Sequence, residues 1–194
     1  MNGQNQNPAP PPQPPDFYGI FSGAIDQASL QKFFNNFAVV TQQPQPNKHL
    51  HLLVQSTGGT IADGTAMYNF LKAAPIDVFV YNSGCVQSMA TVCFLAAKRR
   101  VVSRHATFML HRASCAPQAM TMSRLADVLK SLEIDDGRMD AILKSHLKLS
   151  DEQWAHLRNN EFWFTADDAL KSGLATEIGD FSPPKGAKIL SFNL

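Results

Sequence analysis

The chain has little charge and no long run of one sign. Of 194 residues, 17 are Lys or Arg and 16 are Asp or Glu, which leaves a formal net charge of +1. That balance gives no reason to expect nucleic acid or an anionic membrane as partner. Cysteine is scarce: Cys85, Cys93 and Cys115 form no CxxC pair and are odd in number. A disulfide framework and a zinc site are therefore not indicated. No apolar run approaches the ~18 residues that would suggest a membrane-spanning helix. The N-terminus carries no basic stretch followed by an apolar one, so it does not read as a secretory signal. A cytoplasmic location follows as the expectation. GxxxxGK[ST] and GxGxxG are absent, so no nucleotide cofactor is expected, and GxSxG is absent as well.

What is present starts with "MNGQNQNPAPPPQPPD", a polar, proline-rich arm over residues 1–16 that cannot bury a core. A globular domain is expected over 17–182, with a tail over 183–194. "FYGIFSGAI" reads as a short strand. Asp26 is a candidate N-cap for a helix with Leu30, Phe33, Phe34 and Phe37 on one face. "HLHLLVQS" reads as a buried strand, followed by "TGGT" and a helix, "IADGTAMYNFLKAA". "IDVFVYNSG" is the next strand, and the small, apolar run "GCVQSMATVCFLAA" reads as a helix after a glycine turn. "RRVVS", "ATFMLH" and a final "LATEIG" complete the strands, and the tail from Pro183 reads as loose. Strands alternating with helices argue for an α/β fold with right-handed crossovers.

Between about 118 and 150, Leu125, Leu129, Leu132, Met139, Leu143 and Leu147 recur at three- and four-residue steps. The pattern predicts a long amphipathic helix, bent near Gly137. If continuous it would span roughly 45 Å at 1.5 Å per residue. A helix longer than its domain needs packs on something outside it, so an oligomer contact is expected. The competing arrangement is two ordinary helices folding back at "DDGR".

Two strand-to-helix junctions could carry chemistry. In "STGGT", Gly58 and Gly59 can aim backbone N–H groups at an anion. In the second, Ser88 follows Gly84 near a helix start, where the Met89 amide can serve as another oxyanion donor. A serine needs a base, and His111, at the end of "ATFMLH", is the candidate at a sheet edge. His49 and His51 share a strand face, but no third metal ligand is evident. His105, His146 and His156 are expected to be exposed. Spacing alone does not choose the acid that would orient the base.

In order, "FSGAID", "LLVQSTGGTIADGTAMYNFLK", "VYNSGCVQSMATVCFLAA", "KRRVVSRHATFMLHRA" and "FWFTADDALKSGLATEIGD" resemble the Clp protease proteolytic subunit family of self-compartmentalised serine peptidases. The resemblance implies an α/β ClpP/crotonase-like fold of repeated β-β-α and βαβ units with a protruding handle helix. It implies a serine endopeptidase cleaving peptides or unfolded proteins inside an oligomeric chamber, a heptameric ring or two stacked rings. Ser88 then matches the nucleophile and His111 the base, while Gly59 and Met89 match the oxyanion-hole amides. Gly58, Thr60 and Ile61 match the substrate-binding stretch. Glu161 stands where the family's acid, usually aspartate, is found, with Asn160 as the neighbouring alternative. The resemblance implies no cofactor and no metal.

The chain departs from the pattern at Thr57, where the family usually has proline, at Gln87 before the serine, and at Arg112-Ala113 after the histidine. The N-terminal segment differs too, which leaves an AAA+ unfoldase partner open. Two other functions stay in view: a catalytically inactive ring subunit, and a crotonase-like acyl-CoA enzyme, which would not need Ser88 with His111. A Ser-Lys protease lacks a matching lysine.

Overall fold

The computed structural model describes residues 16–42, 49–116 and 119–192. The proline-rich arm, apart from Asp16, lies outside these residues. Strands β1 (Phe17–Ser22), β2 (His49–Gln55), β3 (Asp77–Asn82) and β5 (Arg99–Val102) form the centre of a six-stranded sheet. Its order is β8-β5-β3-β2-β1-β9, and every pairing in it is parallel. The edge strands are β8 (Glu177–Ile178) and β9 (Ile189–Ser191). A second sheet of three strands, β4 (Cys85–Gln87), β6 (Thr107–Leu110) and β7 (Phe162–Phe164), runs in the order β4-β6-β7. There β4 and β6 are parallel, and β6 and β7 antiparallel.

The period-two alternation of β2 explains its place. Leu50, Leu52 and Val54 are buried toward the helices, while His49, His51 and Leu53 face the other side half-buried. Helix α1 (Gln27–Thr41) starts at a capping box, in which the Asp26 carboxylate accepts from the Ser29 N–H and Ser29 Oγ returns a contact to the Asp26 N–H. It buries Leu30, Phe33, Phe37 and Val40. Helix α2 (Ile61–Lys72) packs on the short α3 (Met89–Phe94), all six residues of which are buried. Helix α5 (Asp151–Leu157) and helix α6 (Ala166–Ser172) each begin at their own capping box, on Ser150 and Thr165.

Some expectations hold and others change. The long helix forms: α4 (Met122–His146) is continuous through Gly137, and the competing fold-back at "DDGR" does not occur. Its 25 residues span roughly 37 Å, and only Met139 and Leu143 are buried. Met122, Leu125, Leu129 and Ile134 stay exposed. The run "GCVQSMATVCFLAA" divides into β4, a turn at Ser88 and the six residues of α3, because pairing of Val86 with Phe108 in β6 outweighs helix propensity there. The stretch from Pro183 is not loose throughout. Ile189–Ser191 pairs with β1, and Phe192 is fully buried against Phe33.

Candidate functional site

Ser88 sits where the small sheet meets α3. Its backbone, at φ 52° and ψ −129°, is the only non-glycine with positive φ among the described residues. Such a conformation costs roughly 1–3 kcal/mol and persists only where the surroundings over-determine it. Here they do. The Ser88 N–H donates to the Met109 carbonyl at 2.7 Å, and the Gln87 N–H to the Ser56 carbonyl at 2.9 Å. The fully buried Thr91 hydroxyl lies 3.0 Å from the carbonyls of both Val86 and Met109, within reach of either. Thr91 thus ties β4, β6 and α3 together directly behind the serine. The sequence reading passed over it, because a threonine in an apolar helix looks like packing. Its signal was a second hydroxyl one turn after Ser88.

His111 directly follows β6, just past the C-terminal end of the middle strand of the small sheet. Its Nε2 lies 2.7 Å from Ser88 Oγ. Acceptance of the serine proton by Nε2 requires the tautomer with hydrogen on Nδ1. Among the described residues Nδ1 has no hydrogen-bond partner.

The glycine pair lies against the serine. Gly58 has φ +98°, and a Cβ there would come within 2.7 Å of Ser88 Cβ. Gly59 is bridged to Ile25, and a Cβ there would meet the Ile25 carbonyl oxygen at 1.9 Å. That bridge uses the Gly58 carbonyl and the Thr60 N–H, leaving the Gly59 N–H without an acceptor among the described residues. The Met89 N–H opens α3 and has no intrahelical acceptor. A cleft of about 240 Å³ is lined by Gly59, Ile61, Ser88, Met89 and His111, together with Arg112, Ala113, Ser114 and Met139. Thr60 stands at the N-cap position of α2 without a side-chain cap; its hydroxyl donates to the Asp63 carboxylate, and it is exposed.

Glu161 is brought near but not into contact. The β6–β7 ladder ends with Leu110 opposite Phe162, the residues that adjoin His111 and Glu161 in sequence. The Glu161 carboxylate instead accepts from Trp163 Nε1 at 3.1 Å, in an exposed position. The Asn160 amide donates to the His156 carbonyl rather than to His111.

Residues 20–181 match the family model described as Clp protease. The chain belongs to the Clp protease family. It is 27% identical over 161 residues to the ATP-dependent Clp protease proteolytic subunit 3 of Rhodococcus jostii, covering 82% of this chain and 79% of that one. It is 26% identical over 162 residues to the proteolytic subunit 2 of Corynebacterium glutamicum, with 82% and 80% covered. A ClpP1 mutant from Listeria monocytogenes superposes with a TM-score of 0.72 at 18% identity, over 86% of this chain and 92% of that one. The fold is that of ClpP.

Within this Clp protease chain the other histidines are held differently. His49 Nδ1 and His51 Nε2 both lie on the Asp16 carboxylate, at 3.0 and 3.2 Å, and His51 Nδ1 faces the Tyr81 hydroxyl at 2.6 Å. The pair meets a carboxylate and a phenol. Burial pushes the His51 imidazole below its ordinary range, against the pull of Asp16. Burial also raises Asp16, but the His49 N–H and the two imidazoles outweigh it and hold the carboxyl low. His146 is not exposed as expected: it is half-buried against the Tyr68 hydroxyl at 3.0 Å, and burial lowers it too. His105 is exposed, and the exposed His156 reaches the Glu161 carbonyl at 3.3 Å. Burial pushes the Cys93 thiol up to about 12, which removes it as a nucleophile. No helix among the described residues is long and apolar enough to cross a membrane.

Proposed function

We propose that this chain is a serine endopeptidase acting on peptides or unfolded protein, with Ser88 as nucleophile and His111 as base. The observation that carries this reading is the 2.7 Å contact between Ser88 Oγ and His111 Nε2 at a backbone held in a strained conformation. Ser88 Oγ attacks the scissile carbonyl as His111 Nε2 takes its proton. The Gly59 and Met89 amides hold the oxyanion, each contributing roughly 3 kcal/mol. His111 then returns the proton to the leaving amine, and water hydrolyses the acyl-enzyme. Glu161 completes the triad by swinging from Trp163 to His111 Nδ1, a step supported by the pairing of their sequence neighbours Phe162 and Leu110. A glutamate suits this role, being anionic at neutral pH and able to accept the imidazole N–H.

Assembly through α4 belongs to the same reading. Met122, Leu125 and Leu129, at three- and four-residue steps, form an exposed apolar stripe, and a second copy in a ring or stacked rings covers it. The relatives named ATP-dependent proteolytic subunits suggest an unfoldase partner for this chain as well.

The test is fluorophosphonate labelling of the purified protein, read by intact mass and peptide mapping. One adduct per chain on Ser88, lost in His111→Ala, is expected. An assembled protein that stays unlabelled would move the chain to the second reading, an inactive ring subunit. The parking of Glu161 on Trp163 favours that second reading.

A further inference from the structure

The segment directly after His111 is bound to α4 by carboxylates one helical turn apart. Asp140 is ion-paired with Arg112, and Asp136 Oδ1 accepts the Ala113 N–H at 3.0 Å. Asp140 is shared, because Lys144 Nζ lies 3.5 Å from its other oxygen. Met139, between the two aspartates in sequence, lines the same cleft as Arg112, Ala113 and Ser114. One turn of α4 therefore supplies an apolar side chain to the cleft and ties down the 112–113 part of its lining.

Arg112 is the charged side chain among the cleft's lining residues, His111 aside, and it is mostly covered, at 20% exposure. A guanidinium in that place without a partner would draw anionic groups toward Ser88. With Asp140 against it, its field at the cleft is largely cancelled. Resting on the peptidase reading, we infer that Asp136 and Asp140 are positioning residues that hold the 112–114 wall and mask Arg112. The cleft thereby accepts uncharged peptide residues beside the scissile bond and discriminates against acidic ones.

The inference is tested on the full chain with two fluorogenic peptides that differ by one Gln or Glu near the cleavage point. Ser88 labelling by a small neutral fluorophosphonate is measured alongside. Asp140→Asn unmasks Arg112 and is expected to raise the Glu-to-Gln ratio of kcat/KM about tenfold, with labelling within about twofold of the parent. Arg112→Gln/Asp140→Asn removes both charges and returns the ratio to the parent value. Asp136→Ala removes the acceptor for the Ala113 N–H, loosens the wall and raises KM for both peptides with kcat held. A merely structural pair would lower thermal stability and both kcat/KM values together without moving the ratio, and that result overturns the inference. So does an unchanged ratio in a well-folded, normally labelled Asp140→Asn. An unlabelled parent protein is a separate outcome, which removes the peptidase reading and this inference with it.

Discussion

Two histidine sites lie on different sheets of this molecule, and they are built in opposite ways. On the main sheet, His51 has both ring nitrogens engaged, one by the Asp16 carboxylate and one by the Tyr81 hydroxyl, and its ring stacks on Tyr18 at 4.8 Å. The neutral ring with hydrogen on Nε2 satisfies both contacts at once. On the small sheet, His111 has one nitrogen on a serine held in a strained conformation and the other without a partner among the described residues, beside an open cleft. A fully partnered histidine stabilises a fold and has nothing to give a substrate. One held at one nitrogen, next to space, can move a proton. Residue type and burial are similar at the two places, so the partners make the difference.

The largest expected effect breaks the second site outright. Ser88→Ala or His111→Ala should lower peptide hydrolysis by ~1,000-fold or more while far-UV circular dichroism and oligomer size stay unchanged. The same two readouts on His51→Gln should show activity within about twofold, because that ring serves the sheet. Full activity in Ser88→Ala would erase the contrast.

Next comes the support behind the serine. Thr91→Val keeps the shape but removes the hydroxyl shared by the Val86 and Met109 carbonyls. Thermal unfolding should show a loss of about 1–2 kcal/mol. Labelling of Ser88 should slow by about tenfold as its backbone relaxes. Gly58→Ala should slow labelling further, since its Cβ would press on Ser88 Cβ.

The acid sharpens the comparison from the other side. With its carboxylate parked on Trp163, Glu161→Ala should cost only about tenfold in kcat, well below the loss from removing a seated triad aspartate. Trp163→Phe frees the carboxylate and should speed labelling by about threefold. A rate that falls in Trp163→Phe would show that the indole positions Glu161 productively.

The smallest effect is the pH dependence of the two histidines that burial holds low. The His51 and His146 rings are held below the ordinary value of 6.5, so the unfolded chain binds more protons than the folded one just below that pH. Their stabilising contribution is complete above pH 6.5 and falls as acid carries the pH through the lowered folded values. Denaturant unfolding at pH 7.5 and pH 5 should show this loss, and His51→Gln/His146→Gln should flatten it.

Much of this was legible in the residues. Alternation in "HLHLLVQS" marked β2, the Asp26 cap marked α1, and the order of glycine pair, serine and histidine marked the family. Pairing partners were not legible. Nothing local in "GCVQSMATVCFLAA" shows that Cys85–Gln87 will pair with β6, because that preference belongs to Thr107–Met109. "FWF" and "ILS" are too short to read as strands alone, and each exists through a neighbour supplied by a distant part of the chain. Glu161 is placed by family position, but what brings its segment beside the one that carries His111 is β7 pairing with β6.

By itself the sequence determined which segments bury a face and which side chains have the chemistry to attack and to take a proton. Those properties depend on spacings of a few residues and on functional groups carried locally. Tertiary structure alone decided that Ser88 Oγ and His111 Nε2, 23 residues apart, stand 2.7 Å from each other. It also decided that His51 is held at both nitrogens and that α4 closes the cleft wall with Asp136 and Asp140. Contacts between distant segments form where a pleated register and packed helices bring them together, and short-range propensity carries no information about that.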